Sequence, residues 1–418
     1  MRRHGPALLL LSLAALAALL AYLAETTDLL PGLLVLAVLS LAAFPCFRIG
    51  IRRVDPRFPA ALFLAAFSFK MLGATARYWA LTDIYRYTGD AVRYLNEGRD
   101  VARSLAALDF SLDLDAPQGT KGMIVLAGLL FNVCPADLLA SYFAFSFLAF
   151  VGSIVFYRAF LVAFPREKPD SYRAILFFLP SFLYWPSSLG KDAWVFFASS
   201  VVAYGVATLG GRRLARGIAF LAAGLLLVSV VRPHVAAIMV VSLAAALGLS
   251  ALGARTAARP GRLLALAAIG VMGFFFLTNA TESLLGSNLA ETRFDELTDF
   301  YEQRRGYIGG GSKVEIPVAY SLLGPPYALV TVLFRPFPFE AHNPQALVSS
   351  FETLGWLALM VARRRQFAGR LRELRRSPLV GFAVIYTVAM ILAQTTTGNL
   401  GIIARQRVQF LPFLWMLF

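Results

Sequence analysis

The feature that most limits what this chain can fold into is a succession of apolar runs, each 15 to 27 residues long, separated by short polar connections. A run of about 20 apolar residues, wound as a helix, matches the hydrocarbon thickness of a bilayer. Of the 418 residues, 58% are hydrophobic and 15% charged, against about 25% charged in an average soluble domain. A soluble core of this size cannot hide so much apolar surface. A water-soluble enzyme is therefore excluded, as are disordered and collagen-like chains. The expected fold is all-α, a polytopic integral membrane protein forming a single membrane domain over residues 1–418.

The first run, 7–24, follows Met-Arg-Arg-His-Gly and lacks a clean small-x-small cleavage site, so it reads as an uncleaved span with the amino terminus in the cytoplasm. Further expected spans are 29–47, 58–76, 137–163, 173–187, 193–210, 217–231, 235–254, 263–278, 344–362, 378–394 and 402–418. Two other segments, 122–134 and 317–334, decide the topology. If neither spans, the basic loops Arg166/Lys168/Arg173, Arg212/Arg213/Arg216 and Arg255/Arg259/Arg262 share a side with Arg48/Arg52/Arg53/Arg57 and Arg363 to Arg376. The positive-inside rule favours that choice. Both segments are then re-entrant or interfacial helices, tolerated where protein or a wet cavity covers the broken backbone. The result is about 12 transmembrane helices with both termini cytoplasmic, and large outer loops at about 77–136 and 279–343.

The formal charge of +15 then has a topological origin. The cytoplasmic segments hold 22 of the 39 basic residues against four acids, Asp55, Glu167, Asp170 and Glu373. No nucleic-acid patch is implied. Cys46 and Cys134 lie far apart in apolar runs, and His4, His234 and His342 are scattered. Neither a disulfide framework nor a metal cluster is expected, and no cofactor.

Most of the unusual polar residues fall on the outer side. In the first outer loop, Asp90, Tyr94 and Glu97 recur at i, i+4 and i+7, so one helical face would carry two carboxylates and a phenol. Such a face suits a glycan; equally, it suits an amphipathic helix lying among headgroups. The turn Tyr184-Trp185-Pro186-Ser187-Ser188-Leu189-Gly190 leads into Lys191-Asp192, which opens a helix whose dipole favours the acid. Its two readings are a cation and carboxylate set in an aromatic turn, or a helix cap with a snorkelling lysine. A P-loop is excluded, because the upstream glycine and the preceding strand are missing. Arg232-Pro233-His234 and Arg335-Pro336-Phe337-Pro338-Phe339-Glu340 place arginines in proline-stiffened turns beside apolar runs. Arginine near hydrocarbon is costly, so it is kept where it is paired, snorkelling or functional. Arg405 and Arg407 lie on different sides of a helix, so at most one faces a cavity while the other snorkels. The outward cations suit an anion site, since a planar guanidinium grips phosphate through two charge-assisted bonds; the alternative is a scatter of interface anchors. The run Glu291 to Arg305 followed by Gly309-Gly310-Gly311 reads as a lid or as a solvated helix and loop. Asn279-Ala280-Thr281 matches a glycosylation sequon.

Ser-Leu-Gly-Lys-Asp (188–192), Arg-Pro-His (232–234), Phe-Arg-Pro-Phe-Pro (334–338) and Gly-Asn-Leu-Gly with Arg-Gln-Arg and Leu-Pro (398–412) resemble a group of bacterial multi-pass membrane proteins of exopolysaccharide and capsule gene clusters. More distantly, the pattern resembles O-antigen-type polysaccharide polymerases, whose outward arginines hold the diphosphate of a polyprenyl-linked glycan. The first-loop acid is similar to that of C-type membrane glycosyltransferases, although there it usually follows the first span and Asp90 follows the third. The resemblance implies a metal-independent glycosyltransferase at the outer face of the plasma (inner) membrane. Asp90 is the first candidate base, with Asp192 and Glu340 behind it. Arg232, His234, Arg335, Arg405, Arg407, Lys191, Tyr94 and Glu97 would bind substrate. The implied partners are a polyprenyl-linked glycan, the bilayer and other polysaccharide-assembly proteins. Two rivals are a lipid-linked glycan flippase, disfavoured because few charges besides Lys70 and Arg158 lie deep in spans, and a non-catalytic assembly partner.

Overall fold

A computed structural model describes residues 29–209, 214–252, 273, 324–341 and 343–418. The expected spans 7–24 and, apart from residue 273, 263–278, the charged run with its glycine hinge, and the sequon lie outside the described residues. Among the described residues every regular element is helical. Six helices among the described residues are long and apolar enough to cross a membrane: Leu30–Arg52, Ala60–Ile84, Leu138–Ala163, Leu214–Val231, Pro233–Ala251 and Pro344–Ala362. The chain divides into two compact units, one of Met1–Tyr204 with Leu226–Arg232 and the other of Gly205–Leu225 with Pro233–Phe418.

In the first unit, α1 (Leu30–Pro45) runs on through a wider-wound turn, Cys46–Arg52. Then come α2 (Ala60–Trp79), α3 (Asp90–Ala106), α4 (Gln118–Phe131) and α5 (Leu138–Ala163). Helix α5 is the centre of this unit. Asp137 caps it by accepting the Ala140 N–H at 2.8 Å, meeting one of the donors a helix start leaves open. It is apolar over most of its surface, as suits a helix buried on most sides. Its Phe143, Phe150, Phe156 and Tyr157 are fully buried. Edge-to-face contacts tie Phe150 to Phe63 and Phe67 of α2, at ring separations of 5.4 and 5.7 Å. In the apolar window of α5, 72% of residues are buried, against 22% for Leu30–Arg52; α1 is thus the outer helix.

The expected span 173–187 is not one helix. It is α6 (Asp170–Phe178) and α7 (Pro180–Tyr184), parted at Leu179, whose ψ of 125° is extended. Steric clash with the proline ring drives the preceding residue out of the helical region. After the buried turn 185–190, α8 (Lys191–Thr208) begins, and α9 (Leu214–Val231) returns its last residues, Leu226–Val231, to this unit.

The second unit is built on α10 (Pro233–Leu252) and includes α11 (Gly324–Phe334), α12 (Pro344–Ala362), α13 (Arg364–Leu371) and α14 (Pro378–Ala393). Helix α14 packs along α10. The expected span 402–418 is also broken. It becomes α15 (Leu400–Gln406), a tight turn at Arg407–Gln409, and α16 (Leu411–Trp415), which starts with Pro412 in its first turn. Proline has no N–H to continue the preceding helix. Phe410, Leu411, Phe413 and Trp415 are fully buried, so this end is core of the second unit. Of the two segments that set the topology, α4 has 14 residues, and the described part of 317–334 is α11, with 11. At 1.5 Å per residue α4 is about 21 Å long, less than a bilayer core.

Candidate functional site

Two groups of charged residues singled out by sequence are assembled, one in each unit. The first forms where α8 begins. Asp192 sits in the first turn of α8, where the helix dipole favours an anion. Arg232 follows the last residue of α9 and continues its ladder, its N–H donating to the Val228 carbonyl at 2.8 Å. A cation at that end is likewise favoured by the dipole. The Arg232 Nη2 donates to Asp192 Oδ1 at 3.1 Å, and the two side chains are 11% and 2% exposed. This is a buried ion pair. Beside it, Lys191 donates to Thr120 Oγ1 at 3.0 Å, so the ammonium is held by α4. Trp194 Nε1 donates to the Leu227 carbonyl at 2.7 Å and fixes α8 against the end of α9.

The first turn of α4 reaches this cluster because it carries glycines. A Cβ at Gly119 would lie 2.2 Å from the Val231 carbonyl oxygen, and one at Gly122 2.1 Å from that of Val230. Both distances are impossible for any other residue without backbone movement. The sequence Gly119-Thr120-Lys121-Gly122 thereby brings Thr120 within bonding distance of Lys191.

The aromatic turn before Lys191 is buried, with Trp185 7%, Ser187 0% and Ser188 5% exposed. Packing against α2 buries it. Lys70 of α2, 2% exposed, donates to the Phe182 and Pro186 carbonyls at 2.7 and 3.1 Å. Two carbonyl dipoles satisfy an ammonium that would be prohibitive to bury alone. Seven residues on, the Arg77 guanidinium lies 5.0 Å from the Tyr184 ring centre and 5.3 Å from that of Trp185, a cation–π arrangement. Thr120 and Arg77 were missed by the sequence reading. The available signal for Arg77 was the i, i+7 spacing from Lys70, which puts both on one face of α2.

The second group is in the second unit. Arg335 donates to Glu340 through Nε at 2.9 Å and Nη2 at 2.5 Å, and through Nη1 to the Tyr327 hydroxyl at 3.1 Å. Glu340 also accepts the Phe337 N–H at 2.8 Å, closing the proline-rich turn on itself. The hydrogen bonds that Arg335 donates to the Glu340 carboxylate hold its guanidinium protonated above even its usual range. Arg407 is 1% exposed. Its guanidinium donates to the Val332 carbonyl at 2.5 Å and to the Arg335 carbonyl, and lies 5.7 Å from the Trp356 ring centre. Arg407 therefore neither snorkels nor faces open space. It straps the Arg335 turn to the carboxyl-terminal segment, and its carbonyl partners make the burial affordable. Arg405 and His234 are half-buried in the same unit, each with interactions of its own.

The Asp90, Tyr94 and Glu97 stripe is divided by packing. Tyr94 is 2% exposed, on the face of α3 that includes Ala91, Leu95, Gly98 and Val101 and packs on α4. At 100° per residue, Asp90 stands about 40° and Glu97 about 60° round from Tyr94, both on the same side. They therefore flank the buried face. Asp90 is exposed; Glu97 is paired with Arg93 at 2.6 Å. Among the described residues no group of His, Cys, Asp and Glu could hold a metal ion. No family model matches the chain, and neither a curated protein nor a solved structure is similar to it.

Proposed function

We propose that this chain is a membrane glycosyltransferase of the polysaccharide-polymerase kind, extending a cell-surface glycan at the outer face of a bacterial plasma membrane. The donor is a polyprenyl-diphosphate-linked sugar, and the chain crosses the bilayer about twelve times with both termini inside. The observation that carries this reading is the buried Asp192–Arg232 pair with Lys191 and Thr120 beside it. Charge this deep in so apolar a chain is expensive unless it has work to do.

In the reaction, the acceptor hydroxyl oxygen bonds to the anomeric carbon as the bond from that carbon to the diphosphate oxygen breaks. The diphosphate leaves as an anion, and the hydroxyl proton passes to a carboxylate. Arg232 and Lys191 would stabilise the departing charge electrostatically. A carboxylate already gripping a guanidinium must break that pair to take a proton, which applies to Asp192 and Glu340. Asp90 is exposed and, among the described residues, has no ion-pair partner, so it stays the first candidate for the base.

The test is mass analysis of lipid-linked and surface glycans in a strain lacking the protein. Single repeat units that reach the outer leaflet and never lengthen are the expected result. A glycan short by one sugar would point to a C-type transferase. Precursors trapped on the inner leaflet would mean a flippase and overturn the reaction assigned here.

A further inference from the structure

The amino-terminal part of the first unit carries a basic cavity that plays no part in the transfer reaction. Helix α1 and its wider-wound continuation expose Leu30, Leu34, Val38, Leu41 and Phe44, a stripe three to four residues apart. An outer helix of 23 residues with such a stripe faces acyl chains. The same stripe continues at steps of four into Arg48 and Arg52, both exposed. At 1.5 Å per residue these lie about 27 and 33 Å beyond Leu30. The hydrocarbon is about 30 Å thick, so the lipid-facing stripe ends in guanidinium groups at headgroup depth.

Arg48, Arg52 and Arg53, with Phe44, Phe47 and Pro56, line an open cavity of about 650 Å³, a volume typical of ligand sites. The Arg48 guanidinium stands 5.6 Å from the Phe44 ring centre, and that of Arg52 5.1 Å from Phe47. An aromatic face holds a guanidinium by its flat side and leaves the N–H edge available. Among the described residues none of the three arginines has an ion-pair partner. The nearby Asp55 is engaged elsewhere: it accepts the Tyr157 hydroxyl at 2.6 Å and lies 4.0 Å from Arg173.

We propose that this cavity binds the phosphodiester headgroup of an anionic phospholipid from the surrounding leaflet, its acyl chains lying along the Leu30-to-Phe44 stripe. The stripe commits the site to a lipid, since a free anion has no use for it.

The experiment is native mass spectrometry of the full chain in detergent, with phosphatidylglycerol and phosphatidylcholine offered together. Phosphatidylglycerol should be retained in preference. Near a membrane each arginine strengthens anionic binding about fivefold, so Arg48→Gln with Arg52→Gln and Arg53→Gln should weaken retention about a hundredfold. All three are exposed, and an unchanged melting temperature will show that the fold survives. A control removes equal charge from exposed Arg364, Arg365 and Arg375 and should keep the preference. Equal loss in both variants would reduce the effect to bulk charge and overturn the site. Displacement of the lipid by millimolar inorganic phosphate would make this a free-anion site and overturn the lipid assignment. No preference between the two lipids would overturn the proposal outright.

Discussion

Replacing Gly122 with alanine puts a methyl carbon 2.1 Å from the Val230 carbonyl oxygen and 3.0 Å from its carbon. Ordinary contact begins at 3.4 Å, so α4 and the end of α9 must separate by about 1.3 Å, the difference of 3.4 and 2.1. Overpacking of this kind destabilises by about 1–3 kcal/mol. Alanine's better helix propensity returns roughly 0.8–1 kcal/mol, leaving a net loss of about 0–2 kcal/mol. The displacement also matters to the site. Carried to Thr120, two residues away, it stretches the 3.0 Å bond to Lys191 to about 4 Å, beyond hydrogen-bonding range. The assay is thermal unfolding of purified protein in detergent, with Gly355→Ala as the reference. Gly355 also lies in a helix, and a Cβ there meets nothing within 4 Å. Gly355→Ala should hold or raise the melting temperature while Gly122→Ala lowers it. Equal shifts in the two variants, or a rise for Gly122→Ala, would refute the close approach of α4 to the Val230 carbonyl.

Three other outcomes are expected. In a double-mutant cycle, Arg232→Gln alone leaves the Asp192 carboxylate buried and unpaired and should cost about 3–5 kcal/mol; adding Asp192→Asn should recover a large part of it, whereas strictly additive losses would contradict the pair. Glu340→Gln removes the charge that the Arg335 fork grips, an effect we expect to be only about 1–2 kcal/mol because both side chains are 19% exposed, read as a lower urea midpoint with an unchanged slope. Burial pushes the Cys134 thiol up from its usual range, with Asp137 adding to the shift. Less thiolate is then present at any given pH, so maleimide labelling should be slow near neutrality and still rising above pH 9; a rate that levels off by pH 8 would contradict the shift.

Apolar length was readable from sequence because it is a local property: Leu30–Arg52, Ala60–Ile84, Leu138–Ala163 and Pro344–Ala362 stand close to where hydropathy placed them. The breaks at Leu179 and after Gln406 were also written locally, in Pro180 and Pro412, but the apolar composition around them outweighed that signal. The site is a different matter. Asp192 and Arg232 are 40 residues apart, and nothing in a single sequence says that two opposite charges meet. The sequence reading gave cations to the leaving group and carboxylates to proton transfer as separate roles; the fold pairs Arg232 with Asp192 and Arg335 with Glu340. Arg407 was misjudged because its partners are backbone carbonyls, which every sequence contains and none advertises. Tyr94 was misjudged because a period of seven fixes an angle on the helix without saying which side is covered.

The central claim is that charges at the start of α8 and the end of α9 act on a polyprenyl-diphosphate-linked glycan. Its most direct test is reconstitution of the purified chain in vesicles with a polyprenyl-diphosphate-linked repeat unit, following product length by mass for the native chain, Arg232→Lys, and the exchanged pair Asp192→Arg with Arg232→Asp. The account predicts lengthening only with the native chain, while the exchanged pair folds and stays inactive because its cation has moved. Full activity from the exchanged pair would show that the ion pair only holds helices together, and would contradict the account.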